Sequence, residues 1–337
     1  MRYRQLGSSG LTVSVVGLGC NNIGRSVDAA GTRKVLDAAL DTGVNLLDVA
    51  DIYGGHRGQS EEVLGEVLGA DRDSFVLATK FGNDMGGVNG PDWGARGSRR
   101  YIRIAVEASL RRLRTDHIDL YQYHQPDNRT PVDETLAALD ELVTAGTVRY
   151  VGSSNFAGWQ VAQADHVAAE LGAERFVSAQ NEYSLLDRQV EAELVPACEA
   201  YGVGMLPFFP LSNGLLTGKY SRDVPPPPGT RLGDRKGDLH RNAPWDTLDA
   251  LRAYADQRGV AMLDVAIGGL AAQPAVSSVI AGATSAEQLR ANAAAGEWEP
   301  SDEDLAELDA IVPAPDRPAE PRLPRMPLSP RPARGRR

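Results

Sequence analysis

Short β-rich apolar runs alternate with helical patterns along almost the whole chain, eight pairs in succession without a break. The expected strands are 15–19, 44–47, 75–79, 118–123, 149–152, 176–180, 203–207 and 276–280. Helical patterns follow each of them, at 29–42, 60–68, 99–114, 132–145, 158–171, 190–201, 247–273 (in two pieces) and 285–295. In the third of these, Ile102, Val106, Leu110 and Leu113 share one face while Arg103, Arg111 and Arg112 fall outside it, the spacing of an amphipathic helix. Runs such as FVLA (75–78) are continuous rather than alternating, as parallel strands covered on both faces require. Eight uninterrupted β-then-α units predict an α/β fold of the closed (β/α)8, or TIM, barrel type, since an open doubly wound sheet usually has fewer. Before the first barrel strand, 3–6 and 12–14 flank GSSG (7–10), which predicts an N-terminal β-hairpin placed to plug the barrel bottom. A short helix at 302–311 is expected to end the folded part.

A length of 337 residues suggests two domains by size alone, but barrels of this type use such a length as one. The expected division is a single barrel domain over 1–312 and a disordered tail over 313–337. In that tail prolines recur among seven arginines, Asp316 and Glu320, a composition that cannot bury enough apolar surface to offset its ordering entropy. The formal charge of −10 argues against a nucleic-acid partner and signals no membrane surface. No run reaches the ~18 apolar residues of a spanning helix, and the first residues lack the apolar core of a signal peptide. Cys20 and Cys198 are the only cysteines and stand outside any metal-ligand spacing, so a reducing, cytoplasmic setting is expected and no metal site. Oligomeric state is not readable.

The chemistry sits at strand ends. The glycine pattern GLGCNNIG (17–24) imitates a dinucleotide fingerprint, but Asn22 stands where the third glycine is needed and no helix pattern begins there. It reads as a tight turn. By contrast, Asp48 closes the second strand with Tyr53 in the loop beyond it, Lys80 ends the third and His124 the fourth. Three consecutive strands thus deliver Asp, Tyr, Lys and His to the C-terminal face, where barrels of this kind build active sites. Each residue alone has a bland reading, an ion pair or a core histidine, but their convergence suits proton transfer. A carbonyl that receives hydride at carbon needs a proton at oxygen. Tyr53 can donate it, Lys80 is expected to lower the phenol's pKa from ~10, Asp48 to hold Lys80, and His124 to orient the carbonyl oxygen. The long connections 82–98 and 211–244, with Trp93, Tyr123 and the 221–247 segment, are candidate pocket walls.

At these residues the sequence resembles the aldo-keto reductase superfamily. The likeness runs through LDVADIYG (47–54), QSEEVLG (59–65), Lys80, DLYQYH (119–124), VRYVGSSNF (148–156), QNEYSLLDR (180–188), PLSNGLLTGKY (210–220) and VIAGATSAEQLRAN (279–292), in the family's order over about residues 1–312. The resemblance implies an NADP(H)-dependent enzyme that reduces a small aldehyde or ketone, with Asp48, Tyr53, Lys80 and His124 as its tetrad and Tyr53 as acid. It implies that Ser154, Asn155 and Gln180 bind the nicotinamide carboxamide and that Phe208 stacks on the ring. Leu211, Ser212, Gly214 and Lys219 then fall at the pyrophosphate, and Gly282, Thr284, Gln288 and Asn292 at the adenosine. Phe209 departs from the usual small residue, and Thr284 from the usual cation for a 2′-phosphate, which weakens the preference for NADPH over NADH. A cofactor-retaining regulatory subunit similar to the voltage-gated potassium channel beta subunits is the alternative, and an intact tetrad does not separate the two.

Overall fold

The computed structural model is described over residues 1–234 and 236–315; the expected tail lies, from 316 on, outside them. A hairpin of β1 (Tyr3–Gln5) and β2 (Thr12–Ser14) precedes the barrel. The barrel then runs β3 (Val16–Gly19), α1 (Ala29–Thr42), β4 (Leu46–Asp48), α2 (Gln59–Leu68), β5 (Val76–Phe81), α3 (Arg99–Leu113), β6 (Ile118–Tyr123) and α4 (Val132–Thr144). It continues with β7 (Val148–Ser154), α5 (Gly158–Leu171), β8 (Ser178–Gln180), α6 (Leu194–Tyr201), β9 (Gly204–Met205), α7 (Arg231–Asp234) and α8 (Gly237–Arg241). The last elements are α9 (Trp245–Arg258), α10 (Met262–Ala271), β10 (Val279–Gly282), α11 (Ala286–Ala295) and α12 (Asp302–Ile311). β10 pairs with β3, and β3 to β9 pair in chain order, all parallel. A parallel bridge between Met205 and Val276 joins the two ends of the sheet and closes the barrel.

Most expected elements keep their place within one or two residues, the strand expected at 203–207 shortens to Gly204–Met205, and two others shift for physical reasons. The pattern over 190–201 becomes a helix only from Leu194, because Pro196 is tolerated in a first turn but would clash with the carbonyl four residues back if the helix began earlier. The last strand lies at Val279–Gly282 rather than 276–280, since Val276 makes only the closing bridge and the chain re-enters the sheet beyond Ser277 and Ser278. Helix ends follow local chemistry: Asp28 caps α1 through its side chain, Ser98 caps α3 and Ser285 caps α11.

Side-chain parity along the strands sets two layers inside the barrel. Leu46, Ala78, Leu120, Leu206 and Ile280 cluster with Leu6 and Val13 of the hairpin, all buried. The hairpin therefore plugs the lower end. Gly7 makes the turn there with φ +56°, and a Cβ on it would stand 2.6 Å from the carbonyl oxygens of Gly202 and Val177, so only glycine fits. Replacing Leu6 by alanine is expected to lower the unfolding free energy by about 2–3 kcal/mol, measured by denaturant titration, because the rigid strands around it cannot collapse into the gap. Two residues beyond Leu46, Ala78 and Leu120 on their strands come Asp48, Lys80 and Gln122, and Gln180 at the end of β8 joins them.

Candidate active site

The upper layer is polar and buried. Lys80 is fully buried, and its Nζ lies 2.7 Å from Asp48 Oδ2, 3.1 Å from the carbonyl oxygen of Val49 and 3.3 Å from the Tyr53 hydroxyl. Its three donors thus all have acceptors, the condition for holding an ammonium out of water. Burial opposes its charge, but Asp48 and Tyr53 outweigh that and raise its pKa above the ordinary lysine value. The other Asp48 oxygen, Oδ1, accepts from Gln180 Nε2 at 2.8 Å and from Gln122 Nε2 at 3.1 Å. Gln122, which strand ends alone do not point to, stands two positions before His124 and shares its parity.

Tyr53 reaches the layer from the β4–α2 turn, its backbone N–H donating to the carbonyl oxygen of Ala50 at 3.1 Å. Its hydroxyl pKa lies above that of an ordinary phenol. This corrects the expectation of a lowered value: burial is the largest influence, and one ammonium already shared with Asp48 offsets only part of it. The phenol therefore keeps its proton at neutral pH. His124 meets Tyr53 edge to face, with ring centroids 5.9 Å apart. Burial, then Lys80, pushes its pKa down to about 3, so the imidazole is neutral. Its Nδ1 is buried without a hydrogen-bond partner.

The residues around this centre fall into three groups. Asn155, at φ +58°, donates through Nδ2 to the His124 carbonyl oxygen and to Ser154 Oγ, which holds the end of β7 beside the end of β6. Beyond β9, Phe208 packs edge-on against Phe209 at 5.2 Å, and Phe209, Ser212, Asn213 and Gly214 all have left-handed backbone. Alternation of right- and left-handed residues can present N–H groups to an anion, although those of Ser212 and Gly214 already donate to the Phe209 and Leu211 carbonyl oxygens. Leu211 and Ser212 lie in that segment, and Lys219 follows it, exposed, 5.0 Å above the Tyr220 ring. At the start of α11, Thr284 donates twice to Gln288 Oε1, and Asn292 Nδ2 donates to the Gly282 carbonyl oxygen.

Two expected pocket walls differ. Tyr123 is 4% exposed and stacks on Phe81 at 5.0 Å, its hydroxyl accepting from the Asp127 N–H; its parity turns it outward to the helices, away from the barrel mouth. Trp93 does lie on the 82–98 connection and is 71% exposed, with Arg100 4.5 Å over its ring.

The profile of the Aldo/keto reductase family matches residues 15–313. The chain is an aldo/keto reductase. It is thus an NAD(P)H-dependent oxidoreductase of the barrel type described above. The uncharacterized oxidoreductase YrpG of Bacillus subtilis (strain 168) is 36% identical, over 94% of this reductase and 97% of that protein. L-glyceraldehyde 3-phosphate reductase of Escherichia coli (strain K12) is 33% identical over 93% and 92% of the two chains. A probable voltage-gated potassium channel subunit beta of Oryza sativa subsp. japonica is 36% identical over 87% and 90%. Among the described residues of the reductase, no helix is long and apolar enough to cross a membrane.

Proposed function

We propose that this reductase uses NADPH to reduce the carbonyl of a small aldehyde or ketone, with Tyr53 as proton donor. The observation that carries the reading is the buried chain Asp48–Lys80–Tyr53 beside a neutral His124 at the C-terminal mouth of the barrel. The nearby residues fit a nicotinamide dinucleotide: the turn at Phe209–Gly214, with four residues in left-handed backbone, and Lys219 beyond it suit a pyrophosphate, and the N-terminus of α11 suits a further anionic group. Ser154, Asn155 and Gln180 would hold the carboxamide and Phe208 would lie against the ring. When bound, the reduced cofactor supplies hydride to the carbonyl carbon.

The chain's own work is on the oxygen. Neutral His124 donates a hydrogen bond to the carbonyl oxygen and aims it at the Tyr53 hydroxyl. As negative charge grows on that oxygen, Tyr53 releases its proton to it, and Lys80, 3.3 Å from the phenol oxygen, steadies the phenolate left behind. Asp48 keeps Lys80 charged and fixed, and two amides keep Asp48 fixed in turn. Residues 1–312 constitute the catalytic unit in this reading. A panel of aldehydes and ketones assayed by NADPH absorbance tests it: turnover with at least one carbonyl class is expected. Cofactor retention with negligible turnover across the panel would favour a regulatory subunit role instead, the rice relative being named a probable voltage-gated potassium channel subunit beta.

Preference for NADPH is expected to be small. Arg290, the cation nearest the start of α11 in sequence, is engaged by Asp41 at 2.7 Å, and Glu287 sits in the first turn of that helix. NADPH should bind tighter than NADH by less than about tenfold, the scale of one exposed charge contact near a helix N-terminus. Titration of both by quenching of intrinsic fluorescence measures this, and equal or reversed affinities would refute it.

A further inference from the structure

Behind the catalytic turn lies a second buried polar cluster that the proton-transfer scheme does not use. Asp51, between Asp48 and Tyr53, is fully buried, as is Glu61 on α2. A single guanidinium, Arg112 of α3, serves both: its Nε lies 2.7 Å from Glu61 Oε2, and its Nη1 donates to Asn89 Oδ1 at 2.9 Å. Asn89 passes the contact on, its Nδ2 donating to Asp51 Oδ2 at 3.1 Å. Thr79 of β5 completes the cluster with a 2.6 Å bond to Glu61 Oε1.

Asn89 belongs to the 82–98 connection, which has little structure of its own. Six of its residues, five of them glycines, have left-handed backbone, and Val88 and Trp93 project into solvent. Met85 and Asn89 are its only buried side chains apart from glycine. The second half of the loop is tied down by Gly97, whose N–H donates to Asp127 Oδ2 at 2.8 Å, and by Arg129, which donates to the Trp93 carbonyl oxygen at 3.2 Å; in the first half the buried polar anchor is the Asn89 amide, held at both ends.

We propose that Asn89 is a positioning residue whose amide, clamped between Asp51 and Arg112, ties the 82–98 connection to the turn carrying Tyr53, so that pocket wall and proton donor are set together. The proposal rests on Tyr53 being the donor and on 82–98 walling the pocket. Burial, then the neighbouring Glu61, raises the pKa of Asp51 well above the ordinary carboxyl value, which favours its protonated form. A neutral Asp51 presents one acceptor oxygen to Asn89 and one hydroxyl, as an asparagine presents one oxygen and one NH2.

The test uses the full chain with NADPH and the aldehyde reduced fastest in the panel. Asn89→Leu and Asp51→Leu should each lower kcat/KM by about tenfold, the scale of one buried polar group stripped of its partner. KM should rise and kcat fall together, backbone amides in 83–97 should exchange hydrogen faster, and NADPH affinity should hold. Asp51→Asn should stay within about threefold of wild type, and the double leucine variant should be no worse than either single one, as for groups acting as a unit. Asn89→Ala carries the same readouts if the leucine variant does not fold. A lowered Tm with unchanged kcat, KM and loop exchange would overturn the proposal, as would losses that multiply in the double variant. Failure of the donor assignment shows separately, as full turnover in Tyr53→Phe.

Discussion

Tyr53→Phe is expected to lower turnover by about 10² or more, the contribution of a positioned general acid. The change keeps the ring and its edge-to-face contact with His124 and removes only the hydroxyl, so NADPH affinity should stay close to wild type. Lys80 keeps Asp48 and the Val49 carbonyl oxygen as partners but loses its third acceptor, so a stability loss of about 1–3 kcal/mol, smaller than that of Lys80→Met, should accompany the loss of turnover. The pH dependence follows from the same geometry. The phenol's pKa is raised and that of His124 is pushed down to about 3. Neither group changes protonation between pH 6 and 9 in the free enzyme, so kcat/KM for reduction should show no limb from either in that range. A Tyr53→Phe enzyme keeping more than about a third of wild-type turnover would rule out Tyr53 as the acid, given the ~10²-fold minimum expected.

Lys80→Met is expected to lower both activity and stability. Without the ammonium, the phenolate forming on Tyr53 loses its one cationic partner, and turnover should fall by about 10². Asp48 is then a buried carboxylate with only the Gln122 and Gln180 amides, and breaking a buried pair in this way costs about 3–5 kcal/mol. The sign with pH is definite. Lys80 has a folded-state pKa above its unfolded value, so its stabilisation is fully present below the unfolded pKa of ~10.4 and is lost only as pH rises through the folded one. The difference in Tm between wild type and variant should therefore be flat from pH 6 to 9 and narrow only above about 10. The double variant Tyr53→Phe/Lys80→Met should be little slower than either single one, since the two act as a unit. A Lys80→Met enzyme that loses stability but keeps its turnover would reduce the pair with Asp48 to a structural contact.

Much of this was legible in the chain. The order of β and α units, the hairpin and the helix at Asp302–Ile311 follow from patterns spanning only a few residues each. The placement of Asp48, Lys80 and His124 at consecutive strand ends needs only the knowledge that those segments are parallel strands. Strand parity, taken residue by residue, also places Gln122 on the face of His124 and Tyr123 on the opposite one, which strand ends alone do not reveal. The Asp51–Asn89 contact spans 38 residues and joins a turn to a glycine-rich loop, and no local pattern announces such a pairing.

The sequence alone determined the alternation, the strand faces and hence which side chains enter the barrel, because periodicity is a property of neighbours along the chain. Tertiary structure decided the rest. Closure depends on Met205 meeting Val276, and the three partners of Lys80 come from residues 27 to 32 positions away. The direction of the Tyr53 shift was settled there too. A charged neighbour can be guessed from spacing, but desolvation exists only once the surrounding strands and loops have excluded water from the hydroxyl, and here it outweighs the charge.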